Sequence, residues 1–221
     1  YTLRAEGLAA LERFDEAEES YVKAIETASE DDRPAHLTNM IQFQNRRGNL
    51  DEAGKYINQL IEVDKIFRSY ASLGRHLMRT GDKAGAEAAF KQSLELAEGA
   101  KANAYRNLAG FYFNEQRVDE AVGLLEAGIE DTEDEGRLEL VYLLARFYSS
   151  EGDEEKADAL VQKATEAASD DPQPWLVLSS YRSRKGDLPG ALEAVGKAIE
   201  IAPDNVVARL RKAELLVDSG Y

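Results

Sequence analysis

The sequence contains no cysteine and only 5 prolines and 16 glycines among its 221 residues. A chain of this length buries a real core without the disulfides that small secreted domains need. The absence of cysteine therefore leaves both cytosol and periplasm open as compartments. The scarcity of proline, together with abundant Ala, Leu, Glu and Lys, favours an all-α protein.

Long apolar runs are also missing. The longest apolar stretch, around Leu138 to Tyr148, is interrupted by Glu139 and Arg146, so we expect no direct membrane insertion. The formal net charge of −15 argues against binding of nucleic acid or anionic lipid by bulk attraction, since phosphates are repelled overall. Because the chain opens on Tyr1, with no basic segment before an apolar one, we expect a piece of a longer protein, whose localisation stays open.

Residues for catalysis or metal binding are equally scarce. The two histidines, His36 and His76, have no second histidine or cysteine in helical register, so neither a metal nor a catalytic imidazole is expected. The acidic stretch 131–136 resembles a calcium loop, but Tyr142 stands where the bidentate glutamate is required. We interpret the stretch as a solvated connector before a helix at Arg137. No cofactor is predicted, and no phosphate-binding glycine-rich loop is found.

What the chain does contain is one helix pattern written six times. The copies align on a central alanine, with steps of 36, 33, 35, 36 and 34 residues between successive alanines. The aligned alanines are Ala17, Ala53, Ala86, Ala121, Ala157 and Ala191. Upstream of each copy lies a second stretch with apolar residues at three-and-four spacing, as in Tyr70, Leu73 and Leu77. Each unit is therefore predicted to be two amphipathic helices, A and B.

Turn and packing signals support this unit. Glycine followed by Asp or Asn, as at Gly81 and Gly186, tolerates a positive φ at the end of helix A, and the next residue can cap helix B. The small residues mark close approach of two helix backbones, where a larger side chain costs about 1 to 3 kcal/mol. Besides the aligned alanines, Gly74, Ala109 and Ala145 in the A helices belong to this set.

The segment Pro174 to Asn205 resembles a tetratricopeptide repeat almost throughout. It has an aromatic residue and a leucine in helix A, the Gly-Asp turn, the central alanine, a second alanine at Ala198 and then Pro203. Departures include Leu60 and Gly128 in place of that second alanine, and the second unit, the most divergent, is expected to contain an irregular helix pair. The resemblance covers the whole chain. It implies a single array, all-α, forming a right-handed α-α superhelical solenoid of about six helix-turn-helix repeats plus a partial seventh. The expected ranges are 1–32, 33–65, 66–99, 100–135, 136–170, 171–205 and 206–221.

The resemblance further implies that the A helices line a concave groove that holds a peptide. Of the residues in these positions, ten are our predicted peptide-binding residues: Asn39, Gln42, Arg68, Arg75, Arg79, Asn103, Arg106, Asn107, Tyr142 and Arg146. The wider set adds Thr38, Arg46, Ser72, Ser180 and Arg184, so that it holds seven arginines against one acid, Glu139. Arginine forks and asparagine amides suit an acidic or extended segment. Alternatively, the arginine stems cover apolar surface and pair with nearby acids.

These observations predict a non-catalytic scaffold that binds a protein or peptide segment. Two other classes stay open: the docking arm of a larger enzyme, and an array that associates with itself through its open ends. The carboxylate clamp that some family members use for chaperone tails is not reproduced, since its frame gives Ser72, then Asn103 and Asn107. Units such as ARLRKAELLVDSGY resemble bacterial tetratricopeptide proteins associated with envelope assembly or exopolysaccharide export.

Overall fold

The computed structural model describes residues 1–99, 101–166 and 171–220, apart from the side chains of Asp134, Glu135 and Glu166. Over these ranges the chain forms thirteen α-helices and no β-strand. They are α1 (Thr2–Ala10), α2 (Phe14–Glu26), α3 (Arg33–Arg47), α4 (Leu50–Val63), α5 (Phe67–Thr80), α6 (Lys83–Glu95), α7 (Lys101–Asn114), α8 (Val118–Asp131), α9 (Asp134–Ser150), α10 (Glu154–Glu166), α11 (Pro172–Arg184), α12 (Leu188–Ile201) and α13 (Val206–Asp218). The prediction of an all-α helical-repeat fold is confirmed.

The helices fall into two compact units, one of residues 1–99 and one beginning at residue 100. In the first unit the antiparallel pairs are α1 with α2, α3 with α4 and α5 with α6, and each pair packs on the next. In the second unit α7 pairs with α8, α9 with α10 and α11 with α12, and α13 packs on α12. There, α7 also packs directly on α9, and α9 on α11. Each unit is thus a row of helical pairs that bury their apolar faces against neighbours.

The aligned alanines lie where backbones meet. All six central alanines have no exposed surface, and so do Ala109 and Ala145. Gly74 is tighter still, because a Cβ atom placed on it would come within 2.7 Å of the Phe90 ring. The small residues therefore allow the helices to approach, as the sequence predicts.

The turns between A and B helices share one backbone geometry. Gly48, Gly81, Gly152 and Gly186 have φ values of 78°, 86°, 84° and 80°. Glu12 and Gln116 occupy the equivalent positions in the first and fourth repeats and also have positive φ, 58° and 61°. The left-handed conformation is thus imposed by the pairing of the helices even where no glycine is present.

Caps on the B helices follow the prediction in part. The Asp82 and Asp187 carboxylates accept hydrogen bonds from the backbone N–H groups of Gly85 and Gly190, both at 2.9 Å. Asn49 does not cap α4; its amide instead donates to Gln44 Oε1 at 2.9 Å. In the second repeat, the Asn49 side chain therefore binds the preceding helix, α3, instead of capping α4.

A recurring set of three residues joins neighbouring repeats. Between the first and second repeats, Arg47 lies 3.2 Å from Glu18 and its guanidinium lies 5.5 Å from the Phe43 ring centroid. Between the fifth and sixth repeats, the equivalent Lys185 lies 2.9 Å from Asp158 and 5.3 Å from the Tyr181 ring centroid. At these two junctions, the B helix thus presents an acid to a base and an aromatic ring of the next A helix. We call this set the junction triad.

The junction triad is absent between the second and third repeats. The equivalent positions there are Gly54, His76 and Thr80. A Cβ atom on Gly54 would lie 2.8 Å from His76 Nε2. The glycine therefore makes room for the imidazole, which takes the place of the aromatic ring.

Two expectations are wrong in detail. Both helices of the second repeat, α3 and α4, are continuous, so that repeat is divergent in sequence and regular in backbone. The connector before Arg137 is shorter than expected, because α9 already begins at Asp134, with Glu133 preceding it as N-cap. None of the described helices combines the length and hydropathy needed to cross a bilayer.

Candidate functional site in the first unit

A cavity of about 470 Å³ lies between α3 and α5. It is lined by Thr38, Ile41, Gln42, Asn45, Arg46, Ser72, Arg75, His76 and Arg79. We call it the arginine cavity. Its α3 residues follow three-and-four spacing, as do its α5 residues, so each helix turns one face toward the space. Six of the nine were predicted as groove residues from the sequence, including Gln42, Arg75 and Arg79.

The charge of the arginine cavity is positive. Three guanidinium groups line it, and its lining contains no carboxylate. The Arg75 Nη2 atom donates to Ser72 Oγ at 3.2 Å. Among the described residues, Arg46 and Arg79 form no ion pair with an acid. A protein of net charge −15 thus holds a local patch of opposite sign, which suits a carboxylate.

The wall of the arginine cavity includes a histidine, His76, whose surroundings disfavour its charged form. Burial lowers the pKa of His76 below its ordinary value, the nearby charge of Arg79 lowers it further, and Asp51 opposes the shift. A neutral imidazole is therefore favoured in the folded chain. In the described structure, His76 Nδ1 and Asn45 Oδ1 are buried without a hydrogen-bond partner. Such atoms are rare in folded proteins.

A second cavity of about 460 Å³ lies among α1, α2 and α3. It is lined by Glu6, Ala9, Ala10, Phe14, Tyr21, Phe43, Arg46 and Arg47. We call it the aromatic cavity. The Tyr21 and Phe43 rings pack at a centroid distance of 5.1 Å, and the Arg47 guanidinium lies 5.1 Å from the Phe14 centroid. Arg46 lines both cavities, so they share a wall.

The other predicted residues of the first unit lie outside both cavities. Asn39 is half-buried on α3. Arg68 is exposed near the start of α5, with its guanidinium 5.1 Å from the Phe67 ring centroid. Arg68 therefore covers an aromatic ring, as in the alternative reading of the arginines.

In the second unit, part of the predicted positive charge is already neutralised. Arg106 forms an ion pair with Glu139, and its other guanidinium nitrogen donates to Asn103 Oδ1 at 2.5 Å. Asn107, one residue further along α7, is half-buried. The one acid found among the predicted groove residues thus binds one of their arginines, and an acidic ligand would have to displace it.

Tyr142 and Arg146 lie on the next A helix, α9. The Tyr142 hydroxyl is buried without a hydrogen-bond partner in the described structure, and its ring packs beside Ala145 and Ala157. The Arg184 guanidinium lies 5.6 Å from the Tyr142 ring centroid, and Arg146 is exposed. This group offers a hydroxyl and two cations, one of them held over a ring.

Sequence reasoning missed three residues of the arginine cavity: Ile41, Asn45 and His76. Asn45 could have been found, because it follows Gln42 and Ile41 at helical spacing. His76 was explained by packing, and it does pack against α4, but it also lines the cavity. Among the described residues, no cluster of three or more His, Asp or Glu side chains could hold a metal ion. Asp131, in the stretch resembling a calcium loop, accepts hydrogen bonds from Lys101 at 2.8 Å and Tyr105 at 3.0 Å.

Comparison with known proteins finds tetratricopeptide repeats in part of the chain. Two models of the tetratricopeptide repeat match residues 72–137 and 138–171. Among curated proteins, the chain is 28% identical over 134 residues to Protein O-mannosyl-transferase TMTC1 of Homo sapiens. That match covers 60% of this chain but only 14% of the human protein, so the chain spans a small part of this relative's length.

Solved structures agree on the fold. BtubC from P. vanneervenii is 19% identical, with a TM-score of 0.57 over 73% of this chain and 76% of that one. The C-terminal part of a TPR repeat-containing protein from Cytophaga hutchinsonii is 17% identical, with a TM-score of 0.55 over 97% of this chain and 84% of that one. With the six recurring helix pairs, these likenesses show a helical-repeat fold, and the two family models identify tetratricopeptide repeats within residues 72–171.

Proposed function

We propose that this scaffold binds an acidic, extended segment of a partner protein, with the arginine cavity as its main anchor. The observation that carries the proposal is the convergence of Arg46, Arg75 and Arg79 on one cavity without a lining carboxylate. Guanidinium forks bind carboxylates in paired hydrogen bonds, and the cavity is large enough for more than one side chain. The amide of Gln42 adds a hydrogen-bonding group for an extended backbone.

The predicted residues outside the two cavities have a secondary role in this proposal. Asn39 and Arg68 would contact the segment beside the arginine cavity. Asn103, Arg106, Asn107, Tyr142 and Arg146 would form a second contact on the other unit. Because Arg106 is engaged by Glu139, we expect that second contact to contribute less to affinity.

A binding measurement with a defined probe tests the proposal. The probe is a labelled, unstructured peptide of aspartate, glycine and serine, and its matched control carries asparagine for aspartate. The triple variant Arg46→Gln, Arg75→Gln, Arg79→Gln should weaken binding of the aspartate peptide by at least about tenfold. The control triple Arg137→Gln, Arg209→Gln, Lys212→Gln removes the same charge from exposed positions and should change it little. Equal weakening by both triples, or equal affinity for both peptides, would contradict the proposal.

The match to an O-mannosyl-transferase favours a second candidate, in which the repeats are the docking arm of a larger enzyme. The similarity covers 134 residues and 14% of that protein. The sequence surrounding these repeats in the gene decides between the two: a catalytic domain in the same reading frame would support the docking arm, whereas further repeats alone would favour the scaffold.

Self-association is a third candidate, supported by the last helix. Val206, Val207 and Leu210 on α13 are 74%, 65% and 60% exposed, which is unusual for a run of large apolar side chains. Light scattering should then show a mass that rises with concentration, and Leu210→Lys should reduce the rise. A mass that stays monomeric at all concentrations would exclude this role for the chain.

We propose bacterial envelope or exopolysaccharide assembly as the biological setting. The support for this setting is the sequence resemblance of the repeat units alone. A deletion strain that retains normal envelope and exopolysaccharide would contradict it.

A further inference from the structure

The aromatic cavity differs from the arginine cavity in its chemistry. Phe14, Tyr21 and Phe43 line it together with two alanines of α1, and because Tyr21 and Phe43 are 1% and 3% exposed, Phe14 supplies the accessible ring. Phe14 is 38% exposed, so one ring edge remains in contact with solvent. An exposed aromatic surface in a concave space is the usual place for a buried anchor side chain of a partner.

The charge of the aromatic cavity is largely balanced from within. Arg47 lies over Phe14 and Phe43 and forms an ion pair with Glu18 at 3.2 Å. Glu6 and Arg46, which carry opposite charges, also line the cavity. An acidic side chain would therefore gain little here compared with the arginine cavity, whereas an apolar or aromatic side chain would bury its surface against the Phe14 ring and the α1 alanines.

The two cavities are neighbours because Arg46 lines both. This guanidinium stands between an apolar space on one side and a cationic space on the other. A peptide that crosses Arg46 would meet both chemistries within a short length of chain.

We propose that the first unit recognises a two-part signal: a large apolar or aromatic side chain in the aromatic cavity, and an aspartate or glutamate of the same segment in the arginine cavity. The inference rests on the proposed function and sharpens it, because acidity alone would then be insufficient for binding. Arg46 acts as the divider that fixes the separation of the two anchors along the segment.

Selection from a library of random peptides tests this signal. The library is displayed on phage and selected on the immobilised full chain, with an unrelated protein as background. The enriched peptides should share an apolar or aromatic residue and an acidic residue at one constant separation. Synthetic copies of an enriched peptide should lose at least about tenfold in affinity when either residue is replaced by alanine or asparagine, respectively.

Variants of the chain assign each anchor to its cavity. With Phe14→Ala, the selected peptides should keep the acid and lose the apolar requirement; with Arg79→Gln, the reverse should hold. Ala10→Trp fills the aromatic cavity from its exposed rim without removing packed atoms, and should act like Phe14→Ala even if the latter impairs folding. Ala213→Trp, an equally exposed position on α13, is the matched control and should leave the selection unchanged.

The outcomes separate this inference from the proposed function. Peptides that are acidic without a shared apolar residue, and that are insensitive to Ala10→Trp, would overturn the two-part signal and leave the proposed function standing. Peptides without an acidic residue, or no enrichment over the background protein, would overturn both.

Discussion

The two units share the same packing of small residues between helices, but their A-helix surfaces differ. Between its second and third repeats, the first unit leaves a cavity lined by Arg46, Arg75 and Arg79. In the second unit α7 packs directly on α9, and Arg106 is already bound by Glu139. The buried alanines are equivalent in both units. The difference therefore lies in surface positions, which the stack leaves variable.

The junction triad shows how this variation is confined. Where the triad is present, an ion pair and a cation over a ring hold neighbouring repeats. The hydrogen bonds that Lys185 Nζ donates to the Glu154 and Asp158 carboxylates raise the pKa of Lys185 above its ordinary value, so its charge persists at any physiological pH. At the junction that carries the arginine cavity, the triad is replaced by Gly54, His76 and Thr80. The junction beside the proposed binding site therefore lacks this cross-link.

The largest effect should come from the positions that the units share. Ala53→Leu in the first unit and Ala121→Leu in the second should each lower the free energy of unfolding by about 1 to 3 kcal/mol, because both sites lack room for a larger side chain. Thermal melting measures the loss, and hydrogen exchange shows which unit loosens. A large loss in only one unit would break the equivalence of the two.

Glu120→Lys is the matched control for Ala121→Leu. Glu120 is exposed and lies 2.5 Å from Arg117, and such surface pairs contribute at most about 1 kcal/mol. Its melting temperature should therefore stay near that of the parent chain. Equal melting temperatures for the two variants would refute the assignment of Ala121 to a packed position.

A smaller effect is expected at the turns. Gln116→Gly should raise the free energy of unfolding by up to about 1 kcal/mol, because glycine adopts a positive φ without the steric cost that other residues have there. Glu12→Gly should do the same in the first unit, and Gly81→Ala should lower stability by a similar amount. Chemical denaturation measures these differences. If Gln116→Gly were destabilising, side-chain contacts would outweigh backbone strain at that turn.

The smallest effect concerns the pH dependence of stability and involves His76, at the junction between the second and third repeats. Because the pKa of His76 is lowered on folding, the unfolded chain takes up the proton first. The contribution of His76 to stability is fully present above the unfolded pKa of about 6.5 and is lost as pH falls through the lower folded value. His76→Phe, which introduces the residue found at Phe43 and Phe111, should remove this component.

The measurement is the difference in unfolding free energy between the parent chain and His76→Phe, followed from neutral to mildly acidic pH. As pH falls, the parent chain should lose stability relative to His76→Phe. Arg79→Gln should reduce this pH dependence without abolishing it, since burial is the larger cause of the lowered pKa of His76. Parallel pH profiles for the parent and His76→Phe would show that the imidazole titrates as in the unfolded chain.

The fold could be predicted because each packing position occurs six times, so that an accidental match at one alanine is corrected by five others. The turns were predictable where glycine marks them, but Glu12 and Gln116 carry no signal of their positive φ. The pairing of Arg106 with Glu139 was also hidden. The sequence shows both residues in exposed helical positions, but the distance between them depends on how α7 and α9 pack.

Six of the nine residues that line the arginine cavity were predictable from the repeat pattern, but the shape of the cavity was not. Gln42, Arg75 and Arg79 follow from the repeat pattern, because the pattern states which face of an A helix is free. The cavities depend on the spacing between helices, which the small Gly54 and the imidazole of His76 help to set. A glycine in a helix interior reads as a weak helix former, and its role as space for a ring appears only in three dimensions.

The junction triad also bears on how such a chain could be rearranged by recombination. Glu18 of the first repeat and Asp158 of the fifth present the same charge to the next repeat, and Arg47 and Lys185 answer it in the same way. A gene in which the sixth repeat directly follows the first would preserve this match at the new boundary. Recombination that joins an acid-bearing B helix to a base-bearing A helix therefore keeps the ion pair at the new boundary, whereas other joins lose it.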